Sequence, residues 1–125
     1  MRLQIDSADA AYIIRGYDTG KVFVNDEALT RSFIVMPDRL VRDWPPQTVG
    51  ELRAEHFQIV ADLGPEIVLF GTGDKLCFPS TEITAPLTMR NIGVEIMDTA
   101  AACRSFSILI AEGRRVAAAL LMINR

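Results

Sequence analysis

From Gly93 to Leu121 the chain reads GVEIMDTAAACRSFSILIAEGRRVAAALL. The order of patterns here constrains the fold more than any other stretch. A short apolar run, Val94 to Met97, is followed by Asp98 and Thr99, residues able to accept a hydrogen bond from a free N–H at a helix start. A helical pattern then runs to Glu112, with Ala102, Phe106, Leu109 and Ile110 on one stripe. Gly113 stands where a helix needs a C-terminal glycine. A second apolar run, Val116 to Ile123, comes next. Its alanines favour helix by propensity. A helix directly after Gly113-Arg114 would leave the unit without its closing strand, so Val116–Leu121 reads as a buried strand. The whole is strand, helix, strand, the core of an α/β domain.

The remaining chain extends that unit. Residues 1–11 are weakly patterned and read as an extended lead-in. Ala11–Tyr17 and Lys21–Val24 flank Asp18-Thr19-Gly20, a hairpin in which Gly20 can take a positive φ. Asn25-Asp26-Glu27 is a second turn. Ser32–Met36 is a strand closed by Pro37, with Leu40, Val41 and Trp44 as apolar anchors that could form one more. Pro45-Pro46 ends the β-rich half. A helix is expected over Ala54–Leu63, with Leu52, Ile59, Val60 and Leu63 on its apolar face. Ile67–Phe70 is apolar on both faces, as an interior strand of a covered sheet should be. After the turn Gly71-Thr72-Gly73-Asp74, a helix is expected over Thr81–Asn91, capped by Ser80 and kinked or broken by Pro86. The expected architecture is one three-layer α/β domain over residues 1–125. It has a mixed, largely parallel central sheet, helices, and an N-terminal β-hairpin layer.

Composition narrows the function classes. The chain has 125 residues, half of them hydrophobic, and a formal net charge of −3. A nucleic-acid footprint would need a basic face. Cys77 and Cys103 have no metal-binding spacing and suit a reducing compartment, so the expected location is cytoplasmic. Asp6 and Asp9, with no long apolar run beside them, argue against a targeting segment. The longest apolar run is far short of the roughly 20 residues of a membrane span.

No complete catalytic constellation is visible, and neither a cofactor nor a metal is expected. Gly71-Thr72-Gly73 follows a strand, but the third glycine of a dinucleotide loop is missing. Asp18-Thr19-Gly20 matches the aspartic-protease tripeptide at a place that simply needs a turn. His56 is the single histidine, too little for any site by itself. Arg114 and Arg115 end a helix, where cations suit the dipole. The candidate ligand site is therefore Gly71, Thr72, Gly73, Asp98, Thr99, Cys103 and Arg104. Both blocks follow strands, and ligands of open α/β sheets bind at the carboxyl ends of strands. The plainer reading has Thr99 capping, Cys103 filling the core and Arg104 pairing with an acid.

Several separated blocks carry a resemblance. They are Pro65-Glu66-Ile67-Val68-Leu69-Phe70-Gly71-Thr72-Gly73, Phe78-Pro79, Gly93 to Thr99, Ala101-Ala102-Cys103-Arg104 and Glu112 to Leu120. The sequence resembles a small α/β family of unknown function first defined on an archaeal Mth-type hypothetical protein. That family includes a mitochondrial complex I assembly factor and an adipogenesis-associated protein. Relatives often have Thr-Tyr-Asn where this chain has Ser105-Phe106-Ser107, which removes a phenol and an amide. The resemblance implies a non-catalytic binding or assembly module with a protein partner. A homodimer is compatible with it. The alternative is a small-molecule-binding protein or enzyme using the crevice at Gly71–Asp74 and Asp98–Arg104.

Overall fold

The computed structural model describes residues 10–125. Most of the expected lead-in at residues 1–11, with Asp6 and Asp9, lies outside the described residues.

Two sheets form. The first is three-stranded, with β1 (Ile14–Asp18), β2 (Lys21–Val24) and β3 (Glu27–Leu29) in antiparallel order. Gly20 turns the β1–β2 hairpin at φ +75°, and its N–H donates to the Ile123 carbonyl at 2.7 Å. Asp18-Thr19-Gly20 is thus a docked hairpin turn. The Asn25 turn leads into β3, a strand the sequence pattern did not reveal.

The second sheet has five strands in the order β5 (Arg39–Val41), β4 (Phe33–Met36), β8 (Val116–Leu120), β6 (Ile67–Gly71), β7 (Gly93–Met97). β6 is parallel to both β7 and β8, while β4 is antiparallel to β8 and to β5. Only β4 therefore runs against the other strands. Val116–Leu120 is a strand despite its alanines, and all five of its residues are buried. It lies at the centre, where small side chains let layers on both faces approach closely. Trp44 lies outside β5 but is buried.

Helices α1 (Ala54–Asp62) and α2 (Thr81–Thr88) pack against each other. They cover one face of the sheet, in a core with Ile34, Phe70, Ala117 and Ala119. The buried residues of α1 are Phe57, Val60 and Ala61. Ile59, expected on that face, is 38% exposed. The true face is set by Trp44, whose ring meets Phe57 at 5.6 Å and Phe70 at 6.1 Å, edge-on. Helix α2 ends at Thr88, short of Asn91, and it runs through Pro86 without breaking. The carbonyl that Pro86 leaves without an N–H belongs to Glu82, an exposed residue that water can serve.

Helix α3 (Thr99–Ala111) covers the other face with the three-stranded sheet. Asp98 caps it, its carboxylate accepting the Ala101 N–H at 2.8 Å. Gly113 follows it at φ +76°. Ala102, Cys103, Phe106 and Ile110 are buried, and Leu109 packs beside them half-buried. Among the described residues, no helix is long and apolar enough to cross a membrane.

Candidate functional site

The carboxyl ends of β6, β7 and β8 meet at the start of α3, because the three strands are parallel and in register. Gly71, Thr72, Gly73, Asp98 and Thr99 come together there. Thr99 is fully buried. Its hydroxyl accepts from the Gly73 N–H at 2.8 Å and donates to the Leu121 carbonyl at 2.6 Å. Its own N–H donates to the Gly73 carbonyl at 2.9 Å. The Thr72 N–H donates to the Met97 carbonyl, and the Leu121 N–H to the Gly71 carbonyl. Three strand ends are thereby tied by one threonine.

Glycine is required at both bracketing positions. A Cβ on Gly71 would stand 2.7 Å from Leu120 Cδ2 and 2.9 Å from Thr99 Oγ1. Gly73 has φ +97°, a backbone that side chains resist. The sequence pointed to this meeting of strand ends. It gave no sign of Leu121, whose carbonyl takes the hydroxyl. Beside the knot is a pocket of about 180 Å³ whose lining includes Gln47, Thr48, Thr72, Gly73, Asp74 and Asn124. Arg125 holds Asp74 at 2.9 Å.

Cys103 and Arg104 lie elsewhere. One turn into α3 the side chains face β1, and Arg104 Nη1 donates to the Tyr17 hydroxyl at 2.6 Å. A groove of about 360 Å³ runs between α3 and β1, lined in part by Gly16, Tyr17, Cys103, Arg104 and Ser107. Burial pushes the Cys103 thiol up to about 12, and the neighbouring Arg104 guanidinium opposes this only in part. The thiol is therefore protonated at neutral pH and a poor nucleophile. Tyr17 was not singled out from sequence; its only signal was its place beside the hairpin turn.

The remaining chemical candidates have structural partners. His56 Nδ1 accepts the Arg53 N–H at 3.0 Å at the start of α1, and Trp44 Nε1 donates to the His56 carbonyl. Arg114 pairs with Glu66 at 3.1 Å. Arg115 reaches the Leu63 and Gly64 carbonyls at the end of α1, so it serves that helix rather than the dipole of its own. Glu66 also accepts the Arg115 N–H, and these bonds hold its carboxyl below the usual range. Among the described residues, no three His, Cys, Asp or Glu side chains are placed to hold a metal ion.

Comparison with known proteins places this arrangement. The chain is 30% identical over 96% of its length to the Xenopus tropicalis protein named NADH dehydrogenase (ubiquinone) 1 alpha subcomplex assembly factor 3. It is 31% identical over 95% of its length to the human protein of that name. It spans 66% and 65% of those two proteins, just under two thirds. An NMR structure from Xanthomonas campestris matches at 44% identity and a TM-score of 0.80, over 92% of this chain and 86% of that one. A Bordetella pertussis structure described as a Mth938-like domain matches at 30% identity and a TM-score of 0.79, over 88% and 85%. A family model matches residues 14–121, and the chain thus belongs to the family described as protein of unknown function DUF498/DUF598.

Proposed function

We propose that the chain is a non-catalytic assembly module that holds a protein partner while a respiratory NADH dehydrogenase is put together. The carrying observation is the identity of about a third along almost the whole chain with proteins named as assembly factors of that enzyme. The geometry supports the same reading. Three groups that could do chemistry are engaged in holding the fold: His56 at a helix start, Thr99 at the strand ends, and Cys103 as a buried neutral thiol. The module acts on the cytoplasmic side, where reduced cysteines persist.

The small-molecule alternative at Gly71–Asp74 and Asp98–Arg104 draws less support. The Thr99 N–H that would receive an anion is taken by Gly73, and Arg104 is turned toward Tyr17.

Deletion of the gene in its own host tests the proposal. Membranes separated on a native gel and stained for NADH dehydrogenase activity should lose the mature complex, and the plasmid-borne gene should restore it. An undiminished band in the deletion strain would overturn the assembly role.

A further inference from the structure

The five-stranded sheet has two outer edges, and they differ. β5 is three residues long. Arg42 follows it, clamped to Glu27 by two bonds of 2.8 and 2.9 Å. Short edges flanked by charge resist further pairing. β7 is five residues long, pairs with β6 alone among the described residues, and is nowhere fully buried.

The direction of its free groups can be read from the ladder. The Gly93 N–H points to Glu66 of the β6 side, and the Met97 carbonyl receives the Thr72 N–H. Backbone groups alternate along a strand, so residues 93, 95 and 97 face β6. The N–H and C=O of Val94 and Ile96 face outward. A cleft of about 280 Å³ lies on the α3 side of this strand, lined in part by Ile67, Leu69, Met97, Ile108 and Leu109. Ile108 is 59% exposed there. Glu95 and Arg114 stand on its rim. Arg114 is held by Glu66, so Glu95 is the rim charge without an ion-pair partner among the described residues.

We propose that β7 is a docking edge: an extended segment of a protein partner adds beside it as a sixth strand, placing a basic side chain at Glu95 and an apolar one in the cleft below Ile108. This rests on the reading of the chain as a module that holds a protein partner, and names where and by what chemistry. Outward backbone groups supply affinity and the cleft supplies specificity, as in other strand additions. A second copy fits poorly. Twofold pairing runs the two β7 strands antiparallel, and about the strand centre it sets Glu95 against Glu95, a destabilising like-charge pair.

The test uses purified full-length protein, so it reads independently of the deletion strain. The probe is a capped peptide, Thr-Val-Lys-Val-Leu-Val-Lys, and its counterpart with glutamate at both lysine positions. With the basic peptide, the Val94 and Ile96 amides should shift in NMR spectra and their exchange should slow by roughly tenfold or more. The acidic peptide should bind roughly tenfold more weakly. Glu95→Lys should reverse that preference in a protein whose spectrum is otherwise native. Val94→Pro removes one outward donor and no ladder bond, and should abolish binding if it folds; if it does not fold, Glu95→Lys decides. Shifts confined to Thr72–Asp74 or Tyr17–Arg104, equal binding of both peptides, no saturation at millimolar peptide, or a free protein already self-paired through β7 would each overturn the proposal.

Discussion

Strand β7 ends in a closed structure and has an open side. At its carboxyl end, Thr99 spends its N–H and hydroxyl on Gly73 and Leu121. Along its outer edge, the backbone of Val94 and Ile96 meets no strand among the described residues. The two regions lie a few residues apart, yet the first is saturated and the second is not. Buried polar groups must be paired, so a knot of strand ends consumes the residues that look most like a ligand site. An edge keeps its binding capacity because solvent satisfies it until a partner arrives. Residue types alone favour the first region as a site; unspent hydrogen bonds favour the second.

The largest effect should come from the element both regions share. Phe106 is fully buried where α3 meets the sheet, so Phe106→Ala should cost about 3–5 kcal/mol in chemical denaturation. A midpoint near wild type would mean that α3 does not anchor either region.

Thr99→Val keeps the shape but strands the Gly73 N–H and the Leu121 carbonyl. Each buried orphan costs about 1–3 kcal/mol, so a loss of about 2–6 kcal/mol is expected from urea melts. A neutral result would show that the knot is not closed. Gly71→Ala forces a methyl against Leu120 and Thr99, for about 1–3 kcal/mol of overpacking.

Cys103 sharpens the contrast through pH. Its folded pKa is raised from 9.0 to about 12, so the stabilising state is the protonated thiol. That contribution is whole below pH 9 and is lost as pH rises, by about 1.4 kcal/mol per pH unit once the unfolded thiol ionises. Cys103→Ala should flatten the slope between pH 9 and 11. In the folded protein at pH 8, exposed Cys77 should react with a thiol reagent while buried Cys103 stays protected. Equal rates would contradict the burial.

The smallest stability effects belong to the open side. Glu95→Lys and Ile108→Ser change exposed groups and should shift stability by no more than about 0.5 kcal/mol. Both should nonetheless impair assembly when they replace the wild-type gene. Normal assembly with either would detach the function from the β7 edge.

What could be read from the chain follows the range of the forces involved. β6, β7, β8 and α3 were legible because apolar runs, the Asp98 cap and Gly113 act locally. The meeting of Gly71 with Thr99 was legible because parallel strands place their ends together. β3 was not, since Glu27-Ala28-Leu29 is too short for a pattern and exists by pairing with β2. The face of α1 was read correctly at Leu52, Val60 and Leu63 but not at Ile59, because Phe57 and Ala61, in one core with Trp44 from another segment, complete it. Arg104 was assigned to the strand ends because nothing local points to Tyr17, 87 residues away. Strand order, and with it the identity of the open edge, is likewise a property of the assembled sheet.

Amide hydrogen exchange on the free protein tests the contrast most directly, residue by residue and without any partner. Gly73, Thr99 and Leu121 should exchange only through global unfolding, at one common free energy that equals the denaturant value. Val94 and Ile96 should exchange far faster, through the native state. Slow exchange at Val94 and Ile96 matching that of Leu121, or fast native-state exchange at Gly73 and Thr99, would contradict the account.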